Sequence, residues 1–156
     1  LDVDGVLTDG MFWCDAEGLE LKRFCFADIT GIPLAQKSGI IFGLISGESS
    51  ENGMAIVERY ARRLNIIDVW KGCHNKAEAL QQFADKYGIS LNEVCFMGDD
   101  VADIPAMEIA GFSVAPPNAH PLVLSKVKMI TKLSGGNGAV RELLDMLIFN
   151  NKSNTI

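Results

Sequence analysis

At 156 residues, with 48% hydrophobic and 22% charged side chains, the chain is long enough to bury a substantial core and too apolar to be disordered throughout. A formal charge of −6 argues against a nucleic-acid binder, which needs a basic face, but not against an anionic small substrate whose field a bound cation can reverse. The four cysteines, Cys14, Cys25, Cys73 and Cys95, show neither Cys-x-x-Cys spacing nor paired histidines, and no apolar run approaches the ~18 residues of a membrane span, so reduced thiols and a cytoplasmic location are expected.

The chain opens on Leu1-Asp2-Val3-Asp4-Gly5, the end of an apolar strand running into glycine. A core strand is typically ~5 to 6 residues long, so further apolar residues are expected ahead of Leu1. Residues 11–14 and 19–26, separated by Asp15-Ala16-Glu17-Gly18, read as a protruding hairpin over about residues 11–26. Residues 30–38 read as a helix with Pro33 in its first turn, stopped by Gly39. Residues 40–45 then form a continuous apolar strand ending at Ser46-Gly47.

Met54, Val57, Ala61 and Leu64 fall at helical spacing over residues 51–64, and a strand follows over 66–70. Leu80, Phe83, Ala84 and Tyr87 mark one face of a helix ended by Gly88. A strand over 94–97 stops at Gly98-Asp99-Asp100, and a helix follows over 101–110. Short strands over 112–115 and 128–131 and a helix over 138–149 complete the pattern, leaving a polar tail from Asn150, over residues 150–156, that is expected to fray. Strands alternating with helices imply an α/β fold: a Rossmann-like parallel sheet with helices on both faces, one domain over residues 1–149.

Ligands of such sheets bind at the carboxyl ends of the strands. Asp2 and Asp4 lie after the first strand, Ser46 after the second, Lys76 just beyond the third, and Asp99 and Asp100 after the fourth. On a strand, residues two apart share a face, so Asp2 and Asp4 are expected to converge on one small volume. A hard divalent cation such as Mg²⁺ would relieve their repulsion, because it takes oxygen ligands and leaves room for phosphate oxygens.

Asp2-Val3-Asp4-Gly5-Val6-Leu7-Thr8-Asp9, then an apolar strand ending in Ser46-Gly47, then Lys76 opening a helix, then Gly98-Asp99-Asp100-Val101-Ala102-Asp103, resembles the haloacid dehalogenase superfamily of phosphatases, with its motifs in order. The resemblance implies Asp2 as a nucleophile forming an aspartyl-phosphate and Asp4 as the acid that protonates the leaving alkoxide and then activates water. It implies Mg²⁺ held by the Asp2 carboxylate, the Asp4 carbonyl and Asp99, with Asp100 and Asp103 orienting the ligands or Lys76. Ser46 and Lys76 would hold the phosphoryl group, and Thr8 would brace the first loop or stand with the substrate-binding residues.

Between Gly10 and Ser46 there is room for a hairpin and one helix but no cap domain. The hairpin, the stretch from Phe26 to Ile32 and the run Ser134-Gly135-Gly136-Asn137-Gly138-Ala139-Val140-Arg141-Glu142 look like the capless phosphatases of 3-deoxy-octulosonate 8-phosphate and of nonulosonate 9-phosphates. That subgroup implies a phosphorylated sugar acid as substrate, no nucleic-acid or membrane partner, and a homotetramer whose neighbouring subunit closes the site through Phe12, Trp13 and the segment near Arg141. Ser46-Gly47-Glu48 departs from the Ser/Thr-Gly-Arg usual in the octulosonate enzymes; Glu48 is similar to the nine-carbon enzymes, where it pairs with a cation on the next helix, here Arg59, Arg62 or Arg63, with Arg63 matching best. Ile29 stands where a glycine is usual.

Two rival readings predict something else. A receiver-type phosphoacceptor domain also clusters Asp, Ser/Thr and Lys, but places its acidic pair after the first strand, the reverse of the order here. A catalytically weak oligomerisation domain, like the one that ends some sialic-acid cytidylyltransferases, would have no need of the intact acidic set.

Overall fold

The computed structural model describes residues 1–150. β1 (Thr8–Cys14) and β2 (Glu20–Phe24) form an antiparallel hairpin, followed by α1 (Phe26–Lys37), β3 (Gly43–Ile45), α2 (Glu51–Arg63), β4 (Asp68–Trp70) and α3 (Lys76–Tyr87). Then come β5 (Cys95–Met97), α4 (Ile104–Ile109), β6 (Phe112–Ala115), the four-residue α5 (Pro121–Leu124), β7 (Met129–Ile130) and α6 (Ala139–Asn150). Two 3₁₀ turns, Leu91–Glu93 and Val101–Asp103, precede β5 and α4.

β3 pairs in parallel with β4, and β5, β6 and β7 pair in parallel in that order. Residues 1 and 2 join the two sets: the Leu1 nitrogen donates to the Gly43 carbonyl at 2.8 Å, Ile45 donates to Leu1 at 2.9 Å, and Asp2 donates to Met97 at 2.9 Å. The lateral order is therefore β4, β3, residues 1–2, β5, β6, β7, which puts Asp2 in mid-sheet. Alternation along the strands splits the core into two layers. Leu44, Met97 and Val114 face Ile32, Val57, Ala61, Leu143 and Leu144 of α1, α2 and α6, while Ile45, Phe96 and Ala115 face Leu80, Ala84, Met107 and Val123 of α3, α4 and α5. Helices cover both faces, and nothing but the hairpin and α1 lies between the first loop and β3, so the fold is α/β and capless. Among the described residues no helix is long and apolar enough to cross a membrane.

Caps account for the helix starts near the site. The Ser50 side chain accepts from Gly53 N at the head of α2, the Asn75 side chain accepts from Glu78 N at the head of α3, and Gly88, at φ 63°, closes α3 in the left-handed conformation. Four local expectations are corrected. The hairpin begins at Thr8 and ends at Phe24, because Phe26 already belongs to α1. α1 starts four residues earlier than residue 30, with the carboxylate of Asp28, not Pro33, in its first turn, where it faces the positive end of the helix dipole. Asp28 is fully buried; its Oδ1 accepts the Arg141 nitrogen at 2.7 Å, and burial pushes its carboxyl up to about 6. The helix expected over 101–110 is a 3₁₀ turn followed by α4, and the parallel strands β3 to β7 are two to four residues long. Apart from Asn150, the last residue of α6, the expected tail lies outside the described residues.

Candidate active site

The first loop is not an extension of a strand. The nitrogens of Val6, Leu7 and Thr8 all donate to the Val3 carbonyl, so residues 3–8 curl into a tight turn. Asp4 therefore lies on a turn and not on a strand face, which corrects the expected geometry; its carboxylate meets Thr8 and Lys22. Thr8, fully buried, is spent inside the loop: its Oγ1 accepts from Gly5 N at 3.3 Å and Gly10 N at 3.2 Å and donates to Asp4 Oδ1 at 3.4 Å. It braces the loop. Asn118 clamps the loop from outside, donating to the Gly5 carbonyl at 2.9 Å and accepting from Gly135 N at 2.7 Å, while Gly136 N donates to the Val6 carbonyl. The glycine run at 135–138 thus supports the catalytic turn.

Behind the loop, carboxylate oxygens of Asp2, Asp99 and Asp103 lie within 4.8 Å of one another. Gly5, at φ 87°, permits this: a Cβ there would stand 2.0 Å from Asp99 Oδ2. Lys76, the first residue of α3 and 6% exposed, sets its Nζ 2.9 Å from Asp2 Oδ1 and also on Asp103 Oδ1. A cation at a helix N-terminus opposes the macrodipole, so these carboxylates are what hold it there. Asp103 is saturated, since its Oδ2 accepts from Asp99 N at 2.9 Å and Asp100 N at 3.0 Å. It orients Lys76 and the Asp99 turn, whereas Asp100 is exposed and caps the 3₁₀ turn that follows it.

The remaining pair is under electrostatic stress. Burial, then Asp103, push the Asp2 carboxyl up to about 6 against the pull of Lys76, and burial, then Asp2 and Asp103, push Asp99 up to about 8. Asp99 Oδ1 is buried without a hydrogen-bond partner. A buried orphan oxygen beside a second carboxylate, with one lysine for three acids, is a donor set that fits a hard divalent cation.

Ser46, 1% exposed, follows β3; its Oγ accepts from Glu48 N at 3.1 Å, which leaves the hydroxyl proton free to donate into the site. Gly47 is exposed beside it. Glu48 folds against Gly53, where a Cβ would stand 2.3 Å from its carboxyl carbon, and accepts from Ser50 N at 2.9 Å. Its cationic partner is Lys22 at 2.8 Å, not Arg63. Arg63 lies at the far end of α2 with its guanidinium 5.7 Å from the Phe26 ring centroid. Arg141 bonds Asp145 at 2.7 Å and Thr30 at 3.3 Å, on the α1–α6 seam and away from the acidic cluster. Lys22 and Asn118 are the site residues that sequence reasoning missed. Lys22 had a faint signal, an inward-facing lysine in the alternation of β2; Asn118, after two prolines, had none.

The haloacid dehalogenase-like hydrolase family model matches residues 36–143. The 3-deoxy-D-manno-octulosonate 8-phosphate phosphatases of Salmonella typhi and of Escherichia coli strain K12 are each 39% identical to this chain over 148 residues, 95% of it and 77% of theirs. The crystal structure of the Moraxella catarrhalis 3-deoxy-D-manno-octulosonate 8-phosphate phosphatase, in complex with a magnesium ion, a phosphate ion and a KDO molecule, matches with a TM-score of 0.89 at 38% identity, covering 97% of this chain and 86% of that one. The cobalt-bound Haemophilus influenzae enzyme matches with a TM-score of 0.89 at 32% identity, covering 99% and 87%. The chain belongs to the haloacid dehalogenase-like hydrolases. Within that family its relatives are phosphatases, and phosphatase is its enzyme class; the receiver and oligomerisation-domain readings are not favoured.

Proposed function

We propose that the chain is a Mg²⁺-dependent phosphatase of a 3-deoxy-2-ulosonic acid phosphate, the eight-carbon octulosonate 8-phosphate, acting through an aspartyl-phosphate on Asp2. The observation that carries this reading is the placement of Asp2, in mid-sheet, between Lys76 and the orphaned carboxylate of Asp99. The names of the relatives support the substrate.

In the first step an Asp2 oxygen attacks phosphorus in line, the bond from phosphorus to the sugar oxygen breaks, and Asp4 gives that oxygen its proton. In the second, Asp4 takes a proton from water, which attacks phosphorus, frees inorganic phosphate and restores the Asp2 carboxylate. Lys76, already against Asp2, offsets the charge carried by the phosphoryl oxygens throughout, and the Ser46 hydroxyl donates to one of them. Mg²⁺, held by the Asp2 and Asp99 carboxylates and the Asp4 carbonyl, would neutralise charge on nucleophile and phosphoryl group alike. The exposed Met11, Phe12, Trp13, Leu19 and Leu21 of the hairpin support closure of the site by a neighbouring subunit in a tetramer, and Arg141 would act from that neighbour. Four free cysteines are in keeping with a cytoplasmic enzyme.

Phosphate release from 3-deoxy-octulosonate 8-phosphate and from a nonulosonate 9-phosphate, with and without Mg²⁺, tests the reading. Mg²⁺-dependent turnover with preference for the eight-carbon substrate is expected. Preference for the nine-carbon one, which Glu48 favours, would move the substrate; no release from either would remove the function. The metal reading also has a readout outside catalysis. Asp2 and Asp99 titrate above the ordinary carboxylate range, so the metal-free fold has their full contribution at pH below ~4 and loses stability as pH rises through about 6 and about 8. Mg²⁺ displaces those protons, and the thermal midpoint is expected to rise more on its addition at pH 8.5 than at pH 5.5. Equal shifts at the two pH values would contradict this donor set.

A further inference from the structure

β2 turns Glu20, Lys22 and Phe24 inward and Leu21 and Arg23 outward. Although it sits on a protruding hairpin, the Lys22 side chain is only 4% exposed, with Nζ 2.9 Å from Asp4 Oδ2 and 2.8 Å from Glu48 Oε2. Asp4 itself is 38% exposed on a turn, and its contact with Thr8 Oγ1 is long, at 3.4 Å. Glu48, by contrast, is fastened by Ser50 N and by the packing against Gly53. Burial works against the charges of both Lys22 and Glu48, yet their partners together outweigh it: Glu48 and Asp4 raise the lysine, and Lys22 and Ser50 bring the glutamate down to about 2. The contacts form a chain from the head of α2 through Glu48 and Lys22 to Asp4.

We propose that Lys22 is the positioning residue for Asp4, with Glu48 as its anchor, so that Glu48 acts through Lys22 and not on the substrate. A general acid must lie within hydrogen-bond reach of the oxygen it protonates, and Lys22 is the fixed point that aims this one. The inference rests on the phosphatase reading and deepens it. It also gives the hairpin a catalytic task of its own, separate from any contact between subunits.

The experiment uses leaving groups. With saturating Mg²⁺, kcat and KM are measured for the wild type, Lys22→Met, Lys22→Gln and Lys22→Arg on the sugar-acid phosphate, on an alkyl phosphate that lacks a carboxylate and on p-nitrophenyl phosphate. An alkoxide needs the proton and p-nitrophenolate leaves without it. Lys22→Met and Lys22→Gln are therefore expected to lose on the order of 10²-fold on both alkyl substrates but no more than about threefold on the aryl one, with Lys22→Arg recovering most of the loss. Equal loss on all three substrates overturns the assignment, as does a rise in KM confined to the sugar acid, which would make Lys22 a ligand of the substrate carboxylate. Loss of folding in both Lys22→Met and Lys22→Gln, read by circular dichroism, would likewise make Lys22 structural and overturn it. A wild type that hydrolyses none of the three substrates would instead count against the phosphatase reading.

Discussion

Asp2→Asn is expected to lower phosphate release on the order of 10⁴-fold or more, the scale seen when a covalent nucleophile is removed. An amide of the same shape can sit between Lys76 and Asp99 but cannot form the acyl phosphate. The same change should leave the metal-free fold no weaker at pH 8, because it removes one of two buried acids whose ionisation the surroundings oppose. The stabilisation by Mg²⁺ should fall sharply as well, since an anionic ligand is gone. Phosphate release and the thermal midpoint with and without Mg²⁺, measured on one preparation, check all three. Retained turnover in Asp2→Asn would show that another group attacks phosphorus.

Lys76→Met is expected to be the most damaging change for fold and activity together. Lys76 is buried, and its ammonium is the protein's own counter-charge to Asp2 and Asp103, with Asp99 close by. Removing one partner of a buried ion pair typically costs about 3–5 kcal/mol, because the other charge is stranded. The stranded carboxylates can escape by taking up protons, so the loss should be larger at pH 8 than at pH 5 in urea titrations without metal. With Mg²⁺ restored, kcat should still fall about 10³-fold, the scale of losing a preorganised group that stabilises developing charge. A variant as stable as the wild type at pH 8 would show that the acids do not depend on Lys76.

Much of this molecule is legible before its structure is seen. Helical spacing located α2 and α3, apolar runs located the core strands, and the acidic residues after them marked the face that carries the site. What failed did so for physical reasons. Pro33 reads as a helix start, but α1 carries it internally because tertiary packing against α6 outweighs one lost hydrogen bond. Strand alternation puts Asp4 on a strand face, yet three donors converging on one carbonyl make a turn there. Arg63 lies on the helix after Glu48 and so looked like its partner, whereas the pairing was decided by a lysine brought in from the hairpin. Long-range pairings of this kind leave only a weak trace in local sequence, and the Asn118 clamp left none.

The hydrogen bonds of residues 1 and 2 to β3 on one side and β5 on the other make that short segment the seam between a two-stranded and a three-stranded sheet. A fluctuation that dislodged Asp2 would have to part the seam and both apolar layers behind it, which only near-global unfolding accomplishes. Asp4, Lys22 and Glu48 lie outside that seam, on a turn, a hairpin and a loop tied together by the Lys22 ion pairs. In the proposed mechanism the nucleophile would thus be fixed by the sheet itself and the acid that serves it by side-chain contacts alone, so that the second could be disturbed without the first.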